Sequence, residues 1–295
     1  MTSQADSAPL RRPTREDLDL YGLSHPGRIR RENQDHFLIA SLHKTMQVHA
    51  TSLPQDTLGR LTSPNRGYVF LVADGVGGVP GGTEASRTAL RAIVDYVVDA
   101  MDLYTHLEPD LEPAFLEELQ RSVEQSHEAV RRSGSHEEDA AGATTLTMVC
   151  IRWPRAYLVH VGDSRCYRLR EGRLEQLTRD QTMAQAMVDA GALTAAQAEV
   201  TPLRHVLYSA LGGRRAEPFV FTTDCRWEDV MLLCTDGLTK HVTDAEIRDS
   251  LAHATSAERA CHDLVGLALE RGGTDNVTAV VGRLRPFPPP PGGNG

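Results

Sequence analysis

The sequence predicts an α+β protein in which antiparallel sheets carry their helices on the outside. Strand-like segments come in runs separated by turns rather than helices, and two amphipathic helices follow one another instead of alternating with strands. The composition, 40% hydrophobic and 24% charged over 295 residues, is that of a globular chain.

Taken in order, residues 17–23, 36–42 and 68–73 read as strands rich in Val, Leu, Ile, Phe and Tyr. The polar stretch 43–67, with Pro54, Gly59 and Pro64, reads as a surface excursion between two of them. Residues 83–101 form an amphipathic helix with Leu90, Ile93, Val94, Val97, Val98 and Met101 at i, i+3, i+4 spacing. A second helix over 113–132 repeats Phe115, Leu119, Val123 and Val130 less regularly. Strands are expected over 144–153, 156–161, 166–170, 219–223, 230–235 and 277–284. Between them, 184–190 is helical, Gly191 stops it and Thr194 caps the next short helix. Capping boxes at Thr194/Gln197, Thr243/Glu246 and Thr255/Glu258 mark helix starts.

Residues 1–16 read as a flexible leader, 17–285 as one domain and 286–295 as a Pro/Gly-rich tail. The net charge of −9 argues against a nucleic-acid surface, no apolar run approaches the ~20 residues of a membrane span, and the N-terminus lacks a secretory stretch. A cytoplasmic monomer is expected. Five widely spaced cysteines suggest reduced, buried thiols rather than a zinc site or disulfide framework. The Gly-rich run 75–83 fails both nucleotide fingerprints, having Pro80 at the sixth position and no lysine. Asn276-Val-Thr278 matches a glycosylation pattern that carries no weight without a secretory signal.

The informative pattern is an apolar strand ending in a small residue and an aspartate: YVFLVADG (Asp74), YLVHVGDS (Asp163) and VMLLCTDG (Asp236), with Asp275 just before a strand in GGTDNVTAVV. One such Asp-Gly is ordinarily a hairpin turn. Four of them, on strands lying side by side, would converge at one sheet edge and demand cations between them. Carboxylates without His or Cys partners are hard oxygen ligands that select Mg²⁺ or Mn²⁺. The run Arg28 to Asp35 places arginines, suited to bidentate phosphate recognition, beside another acidic position.

In this order, GRIRRENQDHF, LVADGVGG, AGATTL, VGDSRCYRL, LTRDQT, LCTDGLT and GGTDNVT closely resemble the signature segments of the PPM, or type 2C, metal-dependent protein phosphatases of bacteria. The resemblance spans about residues 17–284. It implies a four-layer αββα sandwich, two antiparallel sheets flanked by helices, with a metal site at one end. It also implies a phosphoserine/phosphothreonine protein phosphatase that uses direct attack by a hydroxide bridging two Mn²⁺ or Mg²⁺ ions. By motif, Asp74 bridges the two metals, Gly75 offers a backbone carbonyl, and Asp236 and Asp275 complete one shell. Asp35 acts through water, Asp163 with Asp236 matches a third, weaker metal site, and Arg30 holds the substrate phosphate. The partners implied are phosphorylated proteins, namely Ser/Thr kinases and their substrates.

Three departures qualify the resemblance. Val76 stands where many eukaryotic members have a histidine proposed as general acid, so leaving-group protonation falls to a water, with the Asp163 site as its expected place. Gln34 occupies a position that is often glutamate, and LTRDQT replaces a more usual D-H-S. Residues 180–212 resemble the flap subdomain beside the active site, read either as a substrate gate or as local packing. His160 is either a proton shuttle or a structural strand histidine. The alternative function is a catalytically silent phosphatase-like binding module.

Overall fold

A computed structural model of the chain describes residues 12–43, 67–76, 82–99, 111–133 and 142–285. All but the two end residues of the expected excursion 43–67, most of the leader, the Gly-rich 77–81 and the tail 286–295 lie outside the described residues. The strands are β1 (Leu18–His25), β2 (Asp35–Leu42), β3 (Gly67–Asp74), β4 (Leu146–Arg152), β5 (Arg155–Val161), β6 (Arg165–Arg170), β7 (Arg173–Gln176), β8 (Phe219–Asp224), β9 (Val230–Cys234) and β10 (Val277–Leu284). The helices are α1 (Gly82–Asp99), α2 (Glu112–Ser133), α3 (Met183–Asp189), α4 (Ala195–Val200), α5 (Asp236–Thr239), α6 (Asp244–His253) and α7 (Ala257–Glu270).

All the strands pair antiparallel, in two sheets ordered β1-β10-β9-β6-β7 and β2-β3-β4-β5-β8. The inner strands β3 and β9 read as near-continuous apolar runs because both of their faces are covered. Parity assigns the faces. Val69 and Leu71 of β3 pack against Ala89 and Ile93 of α1 and Leu119 and Val123 of α2, while Phe70 and Val72 meet Leu233 of β9 and Val280 of β10 between the sheets. On the far side, Leu232 and Val281 pack against Leu264, Val265 and Ala268 of α7. The expected four layers are therefore present, with the core in three strata.

Several details differ from the sequence-based expectation, among them the short helix α5, for which the sequence reading gave no helix. The cap of α7 is Ser256, which accepts from the Arg259 backbone N–H, rather than Thr255. The frame moves by one residue because the Asp19 carboxylate of β1 reaches the Ala257 N–H at 2.7 Å and fixes where the helix starts. Strand β7 was not anticipated: its four residues contain one apolar side chain, Leu174, and it is set by the tight turn at Glu171 (φ 51°) and Gly172 (φ 75°). The capping boxes at Thr194 and Thr243 form as read, and Gly191 ends the α3 turn at φ 70°. Among the described residues no helix is long and apolar enough to cross a membrane. All five cysteines are buried and free.

Candidate active site

The aspartates do converge, but at the common end of both sheets rather than along one sheet edge. Asp35 and Asp74 are direct cross-strand partners at the ends of β2 and β3, and Asp163 follows β5 in the same sheet. Asp236 and Asp275 come from the opposite sheet, after β9 and before β10. A turn pattern read along the chain gives the strand end but not the sheet to which it belongs.

Parity explains why these side chains turn inward. Asp74 continues the Phe70, Val72 series that faces the other sheet, and Asp35 lies on the same face as Phe37 and Ile39 of β2. Across the gap, Thr235 and Thr278 donate to Asp35 Oδ2 at 2.8 and 2.7 Å, so this carboxylate staples the two sheets. Its other oxygen, Oδ1, is buried without a hydrogen-bond partner, as is Oδ1 of Asp236. Burial pushes the Asp35 carboxyl up to about 7, against the lowering effect of the two threonine hydroxyls. Asp74 and Asp163 are raised well above the usual carboxylate range, first by burial and then by their acidic neighbours.

Two cations sit among these acids. Arg30 forks onto Asp275, with Nε at 2.7 Å from Oδ1 and Nη2 at 3.1 Å from Oδ2. Lys240 Nζ lies 2.6 Å from Asp236 Oδ2 and 2.8 Å from Asp275 Oδ2. Burial alone would raise the Asp275 carboxyl, but Arg30 and Lys240 hold it below its ordinary value. Among the described residues, no three carboxylate, imidazole or thiol groups close on a common point. The donor set still fits a hard divalent cation: carboxylates from two sheets, two of them with a buried, unpartnered oxygen, and three carboxyls raised by burial and by their acidic neighbours.

Asn276, read from the sequence only as a glycosylation pattern, holds the arginine loop in place. Its amide nitrogen donates to the carbonyls of Pro26 and Glu32, and its Oδ1 accepts from the Gln34 N–H. Asn33 adds an Asx turn by accepting from the Asp35 N–H, and donates to Ser24 Oγ. Arg30 is thereby carried over Asp275 by a loop anchored at several backbone points. Gly75 is required by close approach, since a Cβ there would stand 2.6 Å from the Gly82 carbonyl at the start of α1. Val76 lines the cavity and donates its backbone N–H to Ala143. The cavity holds about 690 Å³ and is bounded by Asp74, Asp163, Asp236, Asp275, Arg30 and Lys240 on one side. His205 to Ala210 of the expected flap and the Arg214–Arg215 turn close the other.

His160 takes the structural role. It is fully buried between the sheets, donates from Nε2 to the Arg179 carbonyl at 3.0 Å, and its Nδ1 faces the Thr147 hydroxyl at 2.9 Å. Burial lowers its pKa to about 4. The unfolded chain, with an ordinary imidazole, then binds more protons at this residue between that value and about 6.5, so the contribution of His160 to stability rises with pH across this window and is lost as pH falls through it. The raised carboxyls of Asp35, Asp74 and Asp163 contribute with the opposite sign over the same range, so the His160 part is read as the difference in denaturant unfolding between the natural chain and His160→Asn. That difference is expected to change by up to about 3 kcal/mol between about pH 4 and 6.5, and a difference that does not vary with pH would remove this role from His160.

Comparison with known proteins gives one consistent result. A family profile described as Protein phosphatase 2C matches residues 45–271. The serine/threonine protein phosphatase PstP of Mycobacterium tuberculosis is 39% identical over 216 residues, 72% of this chain and 40% of that protein. The chain thus spans well under half the length of that relative. The serine/threonine phosphatase stp of Listeria innocua is 28% identical over 229 residues, covering 77% of this chain and 88% of its own. Among solved structures, the catalytic domain of PstP in complex with two manganese ions superposes with a TM-score of 0.69 at 30% identity, over 91% of this chain and 99% of that one.

Proposed function

Because the chain belongs to the protein phosphatase 2C family, we propose that it is a metal-dependent phosphatase hydrolysing phosphoserine and phosphothreonine in proteins. The observation that carries this reading is the set of five aspartates gathered from both sheets at one end, with buried, unpartnered oxygens and an arginine poised over them. Asp74, Asp236 and Asp275, with the Gly75 carbonyl, would hold two Mn²⁺ or Mg²⁺ ions; Asp35 supports them from behind, and Asp163 with Asp236 offers a weaker position. When bound, two such ions acidify a water to a nucleophile near neutral pH and polarise the phosphoryl group.

The chain's own residues do the rest. Arg30, delivered by the Asn276-anchored loop and held on Asp275 through Nε and Nη2, would turn its remaining guanidinium N–H groups to the equatorial phosphate oxygens. The apolar sheet interior behind Asp74 lowers the local dielectric, so these fixed charges act more strongly than they would in water. Asp35, tied to Thr235 and Thr278, keeps the two halves of the acidic set in register. The flap residues 205–210 form the wall that a phosphopeptide must pass. Phosphorylated proteins, including Ser/Thr kinases and their targets, are the proposed partners of a monomeric cytoplasmic enzyme.

A catalytically silent module would have no need for the full set of Asp74, Asp163, Asp236, Asp275 and Arg30. The test is hydrolysis of a generic phosphate ester and a phosphothreonine peptide in Mn²⁺, Mg²⁺ and EDTA; absence of turnover with metals bound would establish the silent reading instead. Arg30→Ala is expected to lower kcat/KM on the peptide by about 10 to 100-fold, mostly through KM, the range of one lost charge-assisted pair. Steady-state kinetics check this, and an unchanged KM would take the phosphate away from Arg30.

A further inference from the structure

We infer that Lys240 is a built-in cation that competes with divalent metal for the Asp236 and Asp275 carboxylates at this edge of the site. The inference rests on the metal-dependent reading above and concerns a residue to which no role has so far been given. Lys240 follows the four-residue helix α5, so its stem rises one turn from Asp236. Its ammonium bridges Asp236 Oδ2 at 2.6 Å and Asp275 Oδ2 at 2.8 Å, one oxygen from each of two different segments. That is the position of a cation shared between ligands, filled here by a side chain. Only 24% of the lysine side chain is exposed, so the contact is no loose surface pair.

The remaining oxygens show the division of labour. Asp275 has both of its oxygens engaged, by the Arg30 fork and by Lys240. Asp236 keeps Oδ1 buried and unpartnered, while its Oδ2 takes the lysine contact. Asp236 therefore offers one oxygen to an ion while the other is neutralised by the chain itself. A divalent ion that needs Asp236 Oδ2 or Asp275 Oδ2 must first displace an ammonium already within hydrogen-bond distance. The lysine thus lowers the affinity of this edge for metal and holds the acidic cluster together before metal arrives.

The test is Mn²⁺ titration of the full chain by calorimetry, with melting temperature recorded in EDTA and in Mn²⁺, for the natural protein and for Lys240→Met, Lys240→Gln and Lys240→Arg. Both neutral variants are expected to bind Mn²⁺ about ten-fold or more tightly than the natural chain, because a competing unit charge has gone. They should melt lower in EDTA and gain more from Mn²⁺. The arginine variant, which retains the charge, should stay near the natural affinity. A purely structural lysine would lower melting equally in both conditions and leave the affinity alone, and that pattern would overturn the inference. Equal or weaker Mn²⁺ binding by the neutral variants, with metal-dependent turnover intact, would overturn it while leaving the phosphatase reading standing. Absence of Mn²⁺ binding in all four proteins would overturn both.

Discussion

Asp74→Asn is expected to lower metal-dependent turnover by a thousand-fold or more while leaving the fold intact. Asp74 ends the inner strand β3, directly opposite Asp35, and its carboxylate is largely withdrawn from solvent at the meeting point of the two sheets. Asparagine preserves shape and polarity but halves the donor capacity and removes the charge that would offset two divalent ions. The loss falls on the charged, metal-assisted step, where such terms are usually largest. Stability should move the other way in EDTA. Burial and four acidic neighbours disfavour the ionised form of Asp74, so neutralising it relieves a cost in the metal-free protein. The variant should therefore melt at or above the natural chain in EDTA, and it should lose most of the gain in melting temperature that Mn²⁺ confers on the natural chain. Retained turnover at the natural rate would sink the two-metal reading, whereas a collapse of melting temperature in EDTA would show that Asp74 serves packing instead.

This opposition between site and fold bears on how far each was legible in the sequence. The apolar runs that end in Asp74, Asp163 and Asp236 announce themselves, because a buried strand must be apolar and a charged residue closing it needs a reason. What stayed hidden was the sheet to which each strand belongs, since pairing between distant segments leaves no local trace; Asp35 and Thr235, 200 residues apart and on different sheets, are joined only by the fold. The staple itself left a faint mark. Thr235 and Thr278 are hydroxyls within otherwise apolar stretches, a pattern that asks for a buried acceptor. Lys240 left none, because a lysine four residues after an aspartate reads as an ordinary exposed helix pair. Ser256 displaced Thr255 as a cap for a similar reason: the deciding contact, from Asp19, arrives from a distant strand.

Gly237→Ala is the second substitution with a large expected effect, and it acts through the backbone. Its Cβ would fall 1.9 Å from the Asn276 carbonyl oxygen and 2.9 Å from the carbon, within the main chain rather than at a flexible side-chain tip. Relief requires moving either the start of α5, which carries Asp236, or the segment before β10, which carries Asp275. The second is held by the Asn276 bonds to Pro26, Glu32 and Gln34, and the first by the Thr235 to Thr278 backbone bond of 3.1 Å. Neither element can yield without separating the two carboxylates. A cost of about 3 kcal/mol is expected in denaturant unfolding, at the upper end for overpacking, because backbone atoms cannot repack as side chains do. Activity should fall by 100-fold or more even where the protein remains folded, since a displacement of about 1 Å in a catalytic constellation suffices. Gly266→Ala is the matched control. It lies within α7 with open space around its Cβ position, and alanine there should stabilise by up to about 1 kcal/mol through helix propensity without touching turnover. If the two variants gave equal stability and equal activity, the close contact between α5 and the Asp275 segment would not be what holds the carboxylates at their spacing.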